Sequence, residues 1–245
     1  MSVRPMLAVV PARAGSKGLP GKNVRVLVDR PLLAHSLACA RMCPQVDRCV
    51  VSTDGEDIRD IARANGGDVP FLRPASLAAD DTPMMPVLQH ALAEIEQSEK
   101  RTYGSVLLLD PTSPGRLPED VARAVELLEN DPSAAGVIAC STPTFNPFWV
   151  GVTKSGPYLE PAFSGAAFAR RQDVPPFLRI NGALYLWRSD FVRSGRSWRD
   201  APQIPLEIPE ARAFSIDDLY EFRLAELLLG SGLVHFPWLE DEKRP

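Results

Sequence analysis

The alternation of short apolar segments with helical segments is the feature that most constrains the fold of this chain. Segments that are typical of buried strands are "MLAVV", "RCVVSTD", "GSVLLLDPTSP" and "AAGVIACS". Segments with helical periodicity alternate with them and are "PLLAHSLACARM", "EDIRDIARANGG", "PMMPVLQHALAEIEQ" and "LPEDVARAVELLEN". Continuously apolar strands separated by helices predict a parallel sheet that is covered on both faces. We therefore predict an α/β fold with a doubly wound, mostly parallel sheet.

Residues 142–176 interrupt this pattern. They are rich in Pro, Gly and aromatic residues and have no helical period, which is typical of a lid, an insertion or an interface. The regular pattern resumes in "RINGALYLW", in "AFSID" and in the helical segment "DLYEFRLAELLL". We predict a single domain over residues 1–245 with an insertion at 142–176. The apolar content of the insertion exceeds what an isolated surface loop should expose, so we expect it to contact a partner chain.

Composition excludes several classes of partner. The chain has 245 residues, 45% of them hydrophobic, which is enough to bury a substantial core. Its formal charge is -4 and its pI is about 5.5, so it lacks the basic field that nucleic-acid binding usually needs. No apolar run approaches the roughly 20 residues that span a bilayer, and the first residues do not resemble a signal peptide. We expect a cytoplasmic protein that binds neither nucleic acid nor membrane.

The cysteine and histidine residues give no metal or redox signal. Cys39, Cys43, Cys49 and Cys140 have no CxxC spacing. His35, Cys39 and Cys43 have a spacing of four residues, which on a helix could align three soft ligands. The favoured interpretation is an amphipathic helix whose small and apolar residues face a core. No Ser/His/Asp or Cys/His catalytic arrangement is indicated.

The stretch "VVPARAGSKGLPGKN", residues 9–23, predicts a phosphate-binding loop after the first strand. Its glycines and cations are Gly15, Gly18 and Gly21, and Arg13, Lys17 and Lys22. Ligands of open α/β sheets bind at the carboxyl ends of the strands, and glycines let backbone N–H groups turn toward an anion. The spacing excludes both the Walker pattern and the dinucleotide G-x-G-x-x-G pattern. The alternative interpretation is a flexible surface loop without a ligand.

The same loop resembles the signature loop of the acylneuraminate cytidylyltransferases. Further segments match that family in order and approximate spacing: "VVSTDGEDI", "FLRPASLAADDTP", "LLLDPTSPGR", "RRQDVPPFLRINGALYLW" and "FSIDD". The resemblance implies a Rossmann-like nucleotidyltransferase fold and the activation of an acidic nine-carbon sugar with CTP. It also implies release of pyrophosphate, a Mg²⁺ cofactor and a homodimer in which the insertion closes the sugar site. Such transfers depend on positioning and electrostatic stabilisation, which is consistent with the missing nucleophile.

The resemblance assigns roles to individual residues. Those that it implies for nucleotide binding are Ala12, Arg13, Gly15, Ser16, Lys22, Asn23 and Arg73. Those that it implies for sugar binding are Asp110, Arg171, Gln172 and Asn181. Arg13, Lys22 and Asp217 are the implied catalytic residues, and Asp217 is the implied metal ligand. Arg171 suits a carboxylate because its planar guanidinium can bind one bidentately. For Arg73 and Asn181, a surface arginine and an Asn-Gly hinge stay open as alternatives.

Three positions depart from the family pattern. Asp110 stands where the family has Gln, Ser215 stands where it has the first metal-site aspartate, and Met84 or Met85 replaces a serine. Asp218 is followed three residues later by Glu221, which predicts an N-cap with a reciprocal partner and leaves Asp217 to face the site. We place Ser215 and Asp217 on one face of a strand, with Asp110 as a second carboxylate for Mg²⁺.

Two other functions are consistent with these residues. One is a sugar nucleotidyltransferase that uses a different acid or a different nucleotide. The other is a non-catalytic protein of the same fold that binds a sugar nucleotide without turnover, an alternative that the missing carboxylate at Ser215 leaves open.

Overall fold

A computed structural model describes residues 3–15, 18–163, 168 and 170–239, and within them a six-stranded sheet lies at the centre. The strands in chain order, including two short pairs outside this sheet, are β1 Met6–Pro11, β2 Val26–Leu27, β3 Arg30–Pro31, β4 Arg48–Ser52, β5 Ser105–Leu108, β6 Gly136–Ser141, β7 Val152–Ser155, β8 Tyr158–Pro161, β9 Arg179–Arg188 and β10 Gln203–Glu207. The order across the central sheet is β10-β6-β9-β5-β1-β4.

The central sheet is mostly parallel, as predicted. Strand β1 pairs in parallel with β4 and with β5, and β6 pairs in parallel with β10. Strand β9 is inserted between β5 and β6 and is antiparallel to both. Because β1, β4 and β5 run in one direction, their carboxyl ends meet at one edge of the sheet.

Helices cover both faces of the sheet. Their bounds are α1 Leu32–Arg41, α2 Glu56–Ala64, α3 Met84–Glu99, α4 Pro118–Asn130, α5 Pro147–Val150, α6 Ser189–Ser194 and α7 Leu219–Gly230. Alternate residues of β1 pack in two different hydrophobic cores. Ala8 and Val10 pack in the core that includes residues of α1, α2 and α4. Leu7 and Val9 pack in the core that includes residues of α3 and α6. Strand residues point alternately to the two faces, so this division confirms the predicted doubly wound arrangement.

Helix α1 faces the core, which confirms the favoured interpretation of its histidine and cysteines. His35, Cys39 and Cys43 are all buried. The ring of His35 bonds with Leu27 O through Nε2 at 3.0 Å and accepts a hydrogen bond at Nδ1 from Trp238 Nε1 at 3.0 Å. The Cys43 thiol donates to Cys39 O at 3.1 Å. These residues therefore serve packing and internal hydrogen bonding.

Near the end of the chain, one strand was missed and one predicted strand was wrong. Strand β10 was missed because Pro205 lies inside it, and proline is tolerated only at a sheet edge, which is where β10 lies. The segment "AFSID" is not a strand, since it follows a 3-10 turn at Glu210–Arg212 and runs as irregular backbone to α7. Ser215 and Asp217 consequently do not share a strand face.

The insertion contains the one-turn helix α5 and the hairpin β7–β8. Phe148 of α5 packs against Phe163, with ring centroids 4.8 Å apart, and against Phe177 at 5.9 Å. Residues of both hairpin strands are exposed along their whole length. Within the described part of the chain, no helix combines the length and apolarity needed to cross a bilayer.

Candidate active site

A cleft lies at the edge of the sheet where β1, β4 and β5 end. The side chains around it come from the last residue of β1 and the loop after it, the segment between α2 and α3, the turn after β5, helix α3 and the segment before α7. Its lining residues are Pro11, Arg13, Lys22, Asn23, Arg73, Met84, Asp110, Thr112 and Asp217. Six of these residues are among those that the sequence implicated, although they come from positions as far apart as 13 and 217.

The loop after β1 has a backbone that approaches its neighbours closely. A Cβ atom on Gly18 would lie 2.4 Å from Asp217 O, so a larger residue here would push the loop away from the segment before α7. Gly21 has a φ of +65 and precedes a 3-10 turn at Lys22–Val24. Asn23 is buried and its Nδ2 donates to Arg13 O at 3.1 Å. This bond closes the loop, and Lys22 and Arg13 both line the cleft.

Among the described residues, three cations line the cleft, and each of them lies beside an aspartate. Lys22 Nζ is 2.8 Å from Asp217 Oδ1, and Arg13 NH1 is 2.5 Å from Asp80 Oδ1. Arg73 NH2 is 3.7 Å from Asp54 Oδ1. The side chain of Lys22 is only 11% exposed, whereas that of Asp217 is 70% exposed. The cleft thus combines three cations with nearby carboxylates, and Asp110 and Asp217 are among its lining residues.

Arg73 is the most deeply buried of these cations, with a side chain that is 4% exposed. Its Nε and NH2 atoms have no hydrogen-bond partner among the described residues. Burial lowers the pKa of the guanidinium, and the charge of Asp54 opposes that shift. The unused donors point to a ligand that accepts hydrogen bonds in the cleft.

Asp110 is fixed by the turn that follows β5. Its Oδ1 accepts hydrogen bonds from Thr112 N at 3.0 Å and from Thr112 Oγ1 at 2.9 Å. The fully buried Arg116 donates from NH1 to Asp110 O at 2.9 Å, Ser113 O at 2.7 Å and Ala183 O at 3.0 Å. These bonds tie the turn to β9 and hold the Asp110 carboxylate at the cleft.

Asp217 is held by the entry to helix α7. Asp218 Oδ1 accepts from Glu221 N at 2.8 Å while Glu221 Oε2 accepts from Asp218 N at 3.3 Å, which confirms the predicted N-cap. Glu221 Oε2 also accepts from Asp217 N at 2.6 Å. Ile216 N donates to Thr112 O at 2.8 Å, so this segment joins the turn after β5. Ser215 Oγ donates to Asp217 Oδ2 at 3.3 Å, which places the neutral hydroxyl beside the carboxylate.

A second cleft of about 520 Å³ adjoins the first and shares Met84 and Asp110 with it. Its walls are largely apolar, with guanidinium groups at one side, and it is lined by Pro83, Met84, Met85, Pro86, Leu108, Asp110, Tyr185, Trp187, Gly195, Arg196, Ser197, Trp198 and Arg199. The Arg199 guanidinium lies over the Trp198 ring at 4.3 Å. Burial raises the pKa of Tyr185 to about 12, so its hydroxyl stays protonated and able to donate. This cleft suits an uncharged or acidic molecule with apolar substituents.

Several implicated residues lie elsewhere. Ala12 is buried at the start of the loop after β1, and Gly15 is exposed within that loop, and neither lines a cleft. Ser16 lies outside the described residues, as does Lys17. Asn181 is buried and its Oδ1 accepts from Ala183 N at 3.1 Å, while its Nδ2 has no partner among the described residues.

Arg171 and Gln172 are exposed on a 3-10 turn of the insertion and line neither cleft. Their contact with a sugar therefore stays a prediction.

Sequence reasoning missed some cleft residues. Thr112 lines the cleft, and Asp54 and Asp80 pair with its arginines. Asp54 had a signal, because it lies two residues after the end of strand β4, at the edge where ligands bind. Asp80 had none, since it is one of two consecutive aspartates in a loop and only the folded chain distinguishes them.

The carboxylates of the cleft fit Mg²⁺. No group of three or more His, Cys, Asp or Glu side chains is placed to hold a metal ion anywhere in the described ranges. Mg²⁺, however, is commonly bound by one or two carboxylates together with substrate phosphates. Asp217 and Asp110 line the same cleft and supply hard oxygen donors of that kind.

Comparisons with known proteins agree on the class of chemistry. The family model described as "Cytidylyltransferase" matches residues 7–147. The CMP-N,N'-diacetyllegionaminic acid synthase of Legionella pneumophila is 33% identical over 227 residues, which cover 91% of this chain and 96% of that protein. The post-translational flagellin modification protein B of Campylobacter coli is 31% identical over 227 residues, covering 91% and 94%.

Among solved structures, a CMP:2-keto-3-deoxy-manno-octonic acid synthetase complexed with CTP is similar. It has a TM-score of 0.71 at 17% identity, over 93% of this chain and 99% of that chain. At this identity the likeness concerns the fold alone, and it agrees with the α/β arrangement described above.

Proposed function

The chain belongs to the cytidylyltransferase family, and from this premise we propose that it activates an acidic nine-carbon sugar of the nonulosonic class with CTP. A hydroxyl oxygen of the sugar forms a bond to the α-phosphorus of CTP, and the bond from that phosphorus to the bridging oxygen of the β-phosphate breaks. The products are the CMP-sugar and pyrophosphate, and the hydroxyl proton leaves to solvent or to a neighbouring base. The observation that carries the proposal is the cleft that combines Arg13, Lys22 and Arg73 at the end of β1.

The first cleft suits the nucleotide. A triphosphate carries several negative charges, and Arg13 and Lys22 of the loop after β1 place two cations in the wall of this cleft. Negative charge increases on the leaving pyrophosphate as the bond breaks, so a fixed ammonium at Lys22 stabilises the transition state more than the ground state. Arg73, with unused donors and little exposure, suits a fixed polar part of the nucleotide such as the base.

The second cleft suits the acceptor sugar. It joins the first at Asp110 and Met84, so a molecule that occupies it extends toward the α-phosphate of a nucleotide in the first cleft. Its apolar walls match acyl and methyl substituents. Names of relatives support an acceptor of this class, since they include synthases for CMP-legionaminic acid and a pseudaminic acid cytidylyltransferase of Campylobacter jejuni.

We also propose that Mg²⁺ is the cofactor and that Asp217 holds it, with Asp110 as the second carboxylate. When bound, the ion neutralises phosphate charge. Ser215 adds only a neutral oxygen beside Asp217, so we expect weaker metal affinity than at a site with two aspartates there.

The homodimer is a further part of the proposal. Exposed apolar residues concentrate in and beside the insertion: Phe145, Trp149, Val150, Val152, Tyr158, Leu159, Phe163, Leu178 and Ile180. A surface of this kind is typical of an interface, and a second copy is the partner that the family resemblance implies.

The reducing cytoplasm is the proposed location, which is supported by four cysteines that form no disulfide.

The test is pyrophosphate release with each of the four ribonucleoside triphosphates and a panel of acids. The panel contains N-acetylneuraminic, legionaminic and pseudaminic acids and the eight-carbon 3-deoxy-manno-octulosonic acid. We expect release with CTP and at least one nine-carbon acid, and none when the acid is omitted. Release only with another triphosphate, or only with the eight-carbon acid, would contradict the substrate assignment. CTP binding without release from any acid would support the non-catalytic alternative.

A further inference from the structure

The turn that follows β4 anchors two separate parts of the nucleotide site. Ser52 O accepts from Ala12 N at 2.9 Å, at the start of the phosphate loop. The next residue, Thr53, accepts from Arg73 N at 2.7 Å through its carbonyl oxygen. These two backbone bonds place the phosphate loop and the Arg73 segment side by side, and neither depends on a side chain.

The side chain of Asp54 contacts both the phosphate loop and the Arg73 segment. Oδ1 of Asp54 accepts from Ala14 N in the phosphate loop at 3.0 Å and lies 3.7 Å from Arg73 NH2. The Asp54 side chain is only 24% exposed. We propose that Asp54 is a positioning residue that aligns the phosphate loop with the Arg73 guanidinium for nucleotide binding, an inference that rests on the proposed function.

Electrostatics give the reason why this carboxylate is needed. Arg73 is buried beside a second guanidinium, that of Arg13, and the charge of Arg13 adds to the burial that lowers the pKa of Arg73. Asp54 is the acidic group that opposes this repulsion. Without Asp54, the buried guanidinium of Arg73 would have unused donors and would be repelled by the charge of Arg13, so we expect it to turn toward solvent. The Arg73 donors would then leave the cleft before any nucleotide arrives.

The two contacts can be separated by substitution. In Asp54→Asn the side-chain oxygen still accepts the Ala14 N–H, so the loop contact is kept and only the charge is lost. In Asp54→Ala both contacts are lost. We expect Kd for CTP, measured by calorimetry, to rise about tenfold in Asp54→Asn and further in Asp54→Ala, since partners of buried charges have effects of at least this size. Asp60→Asn, which removes the same charge from an exposed position of α2, should leave Kd within about twofold of wild type.

A double-mutant cycle with Arg73→Ala tests whether Asp54 acts through Arg73. We expect Asp54→Asn to have little further effect on Kd in the Arg73→Ala background, because its target is already gone. Equal tenfold effects in both backgrounds would overturn the proposal, and so would an Asp54→Asn protein that binds CTP like wild type. A wild-type protein that does not bind CTP would instead contradict the proposed function. Unfolding midpoints of all variants, measured alongside, confirm that each binding measurement concerns a folded chain.

Discussion

His35 makes the stability of this protein depend on pH between about 4 and 6.5. Burial lowers the pKa of its ring to about 4, from an ordinary value of 6.5. The hydrogen bonds select the neutral form, because Nδ1 accepts from Trp238 Nε1 and therefore cannot carry a proton. Nε2 then donates to Leu27 O. Protonation of the native ring at Nδ1 would place two donors, Nδ1–H and Trp238 Nε1–H, against each other in the buried core.

The magnitude follows from the difference between the two pKa values. Folding lowers the pKa of His35, so the unfolded chain binds more protons, and the stabilisation is complete above pH 6.5 and is lost as the pH falls toward 4. Linkage predicts a loss of about 2 kcal/mol in the free energy of unfolding between pH 7.5 and pH 5, and of about 3 kcal/mol by pH 4.

The assay is urea unfolding at pH 7.5 and at pH 5 for the wild type and for His35→Gln. Carboxylates and the other histidines titrate in both proteins, so the difference between their pH dependences isolates His35. We expect the wild type to lose about 2 kcal/mol more than the variant over this interval, whatever the variant's stability at pH 7.5. If both proteins lose the same free energy of unfolding, and that free energy falls equally steeply with urea concentration in both, the assignment of a neutral buried ring is refuted.

Three further predictions concern the site and the assembly. Lys22→Ala should lower kcat by roughly 10²–10³, the scale of removing one transition-state donor, and a pyrophosphate-release rate within a few-fold of wild type would remove Lys22 from the mechanism. Asp217→Asn should abolish turnover, whereas Asp218→Asn should cost little because Asn caps a helix about as well; an Asp217→Asn enzyme with normal rate and Mg²⁺ dependence would make Asp110 the residue to test. Light scattering should give a mass near twice the 26.8 kDa of one chain, and Tyr158→Asp with Leu159→Asp should reduce it to that of one chain; a wild-type mass of 26.8 kDa would contradict the dimer.

The sequence was sufficient to predict the elements with a strong period and the loop after β1. The continuous apolar runs of β1, β5 and β6 are buried on both faces, as is typical of strands in a parallel sheet that is covered on both sides. The cap at Asp218 was predictable because the acceptor and its reciprocal partner lie within four residues of each other. Strand β10 was not predictable in this way. Its position at the sheet edge permits Pro205, and that position is visible only in the folded sheet.

The features of the site that were not predictable from the sequence depend on contacts between distant segments of the chain. Asp80 and Asp81 are adjacent and chemically identical, yet Asp80 is the one that bonds Arg13. Ser215 and Asp217 are aligned by a backbone bond to Thr112 rather than by a strand. Arg171 carries the right chemistry for a carboxylate, but its turn is exposed in the single chain and contacts neither cleft.

The ion pair between Lys22 and Asp217 joins residues 195 positions apart, and this has a consequence for protein synthesis. A ribosome makes Lys22 of the phosphate loop 195 residues before it makes Asp217 in the segment before α7. Until then Lys22 lacks its counterion, and the carbonyl group of Thr112 lacks the Ile216 amide. A chain that stops before residue 217 therefore has the loop after β1 without the opposite wall of its cleft, and we expect such a chain to be inactive.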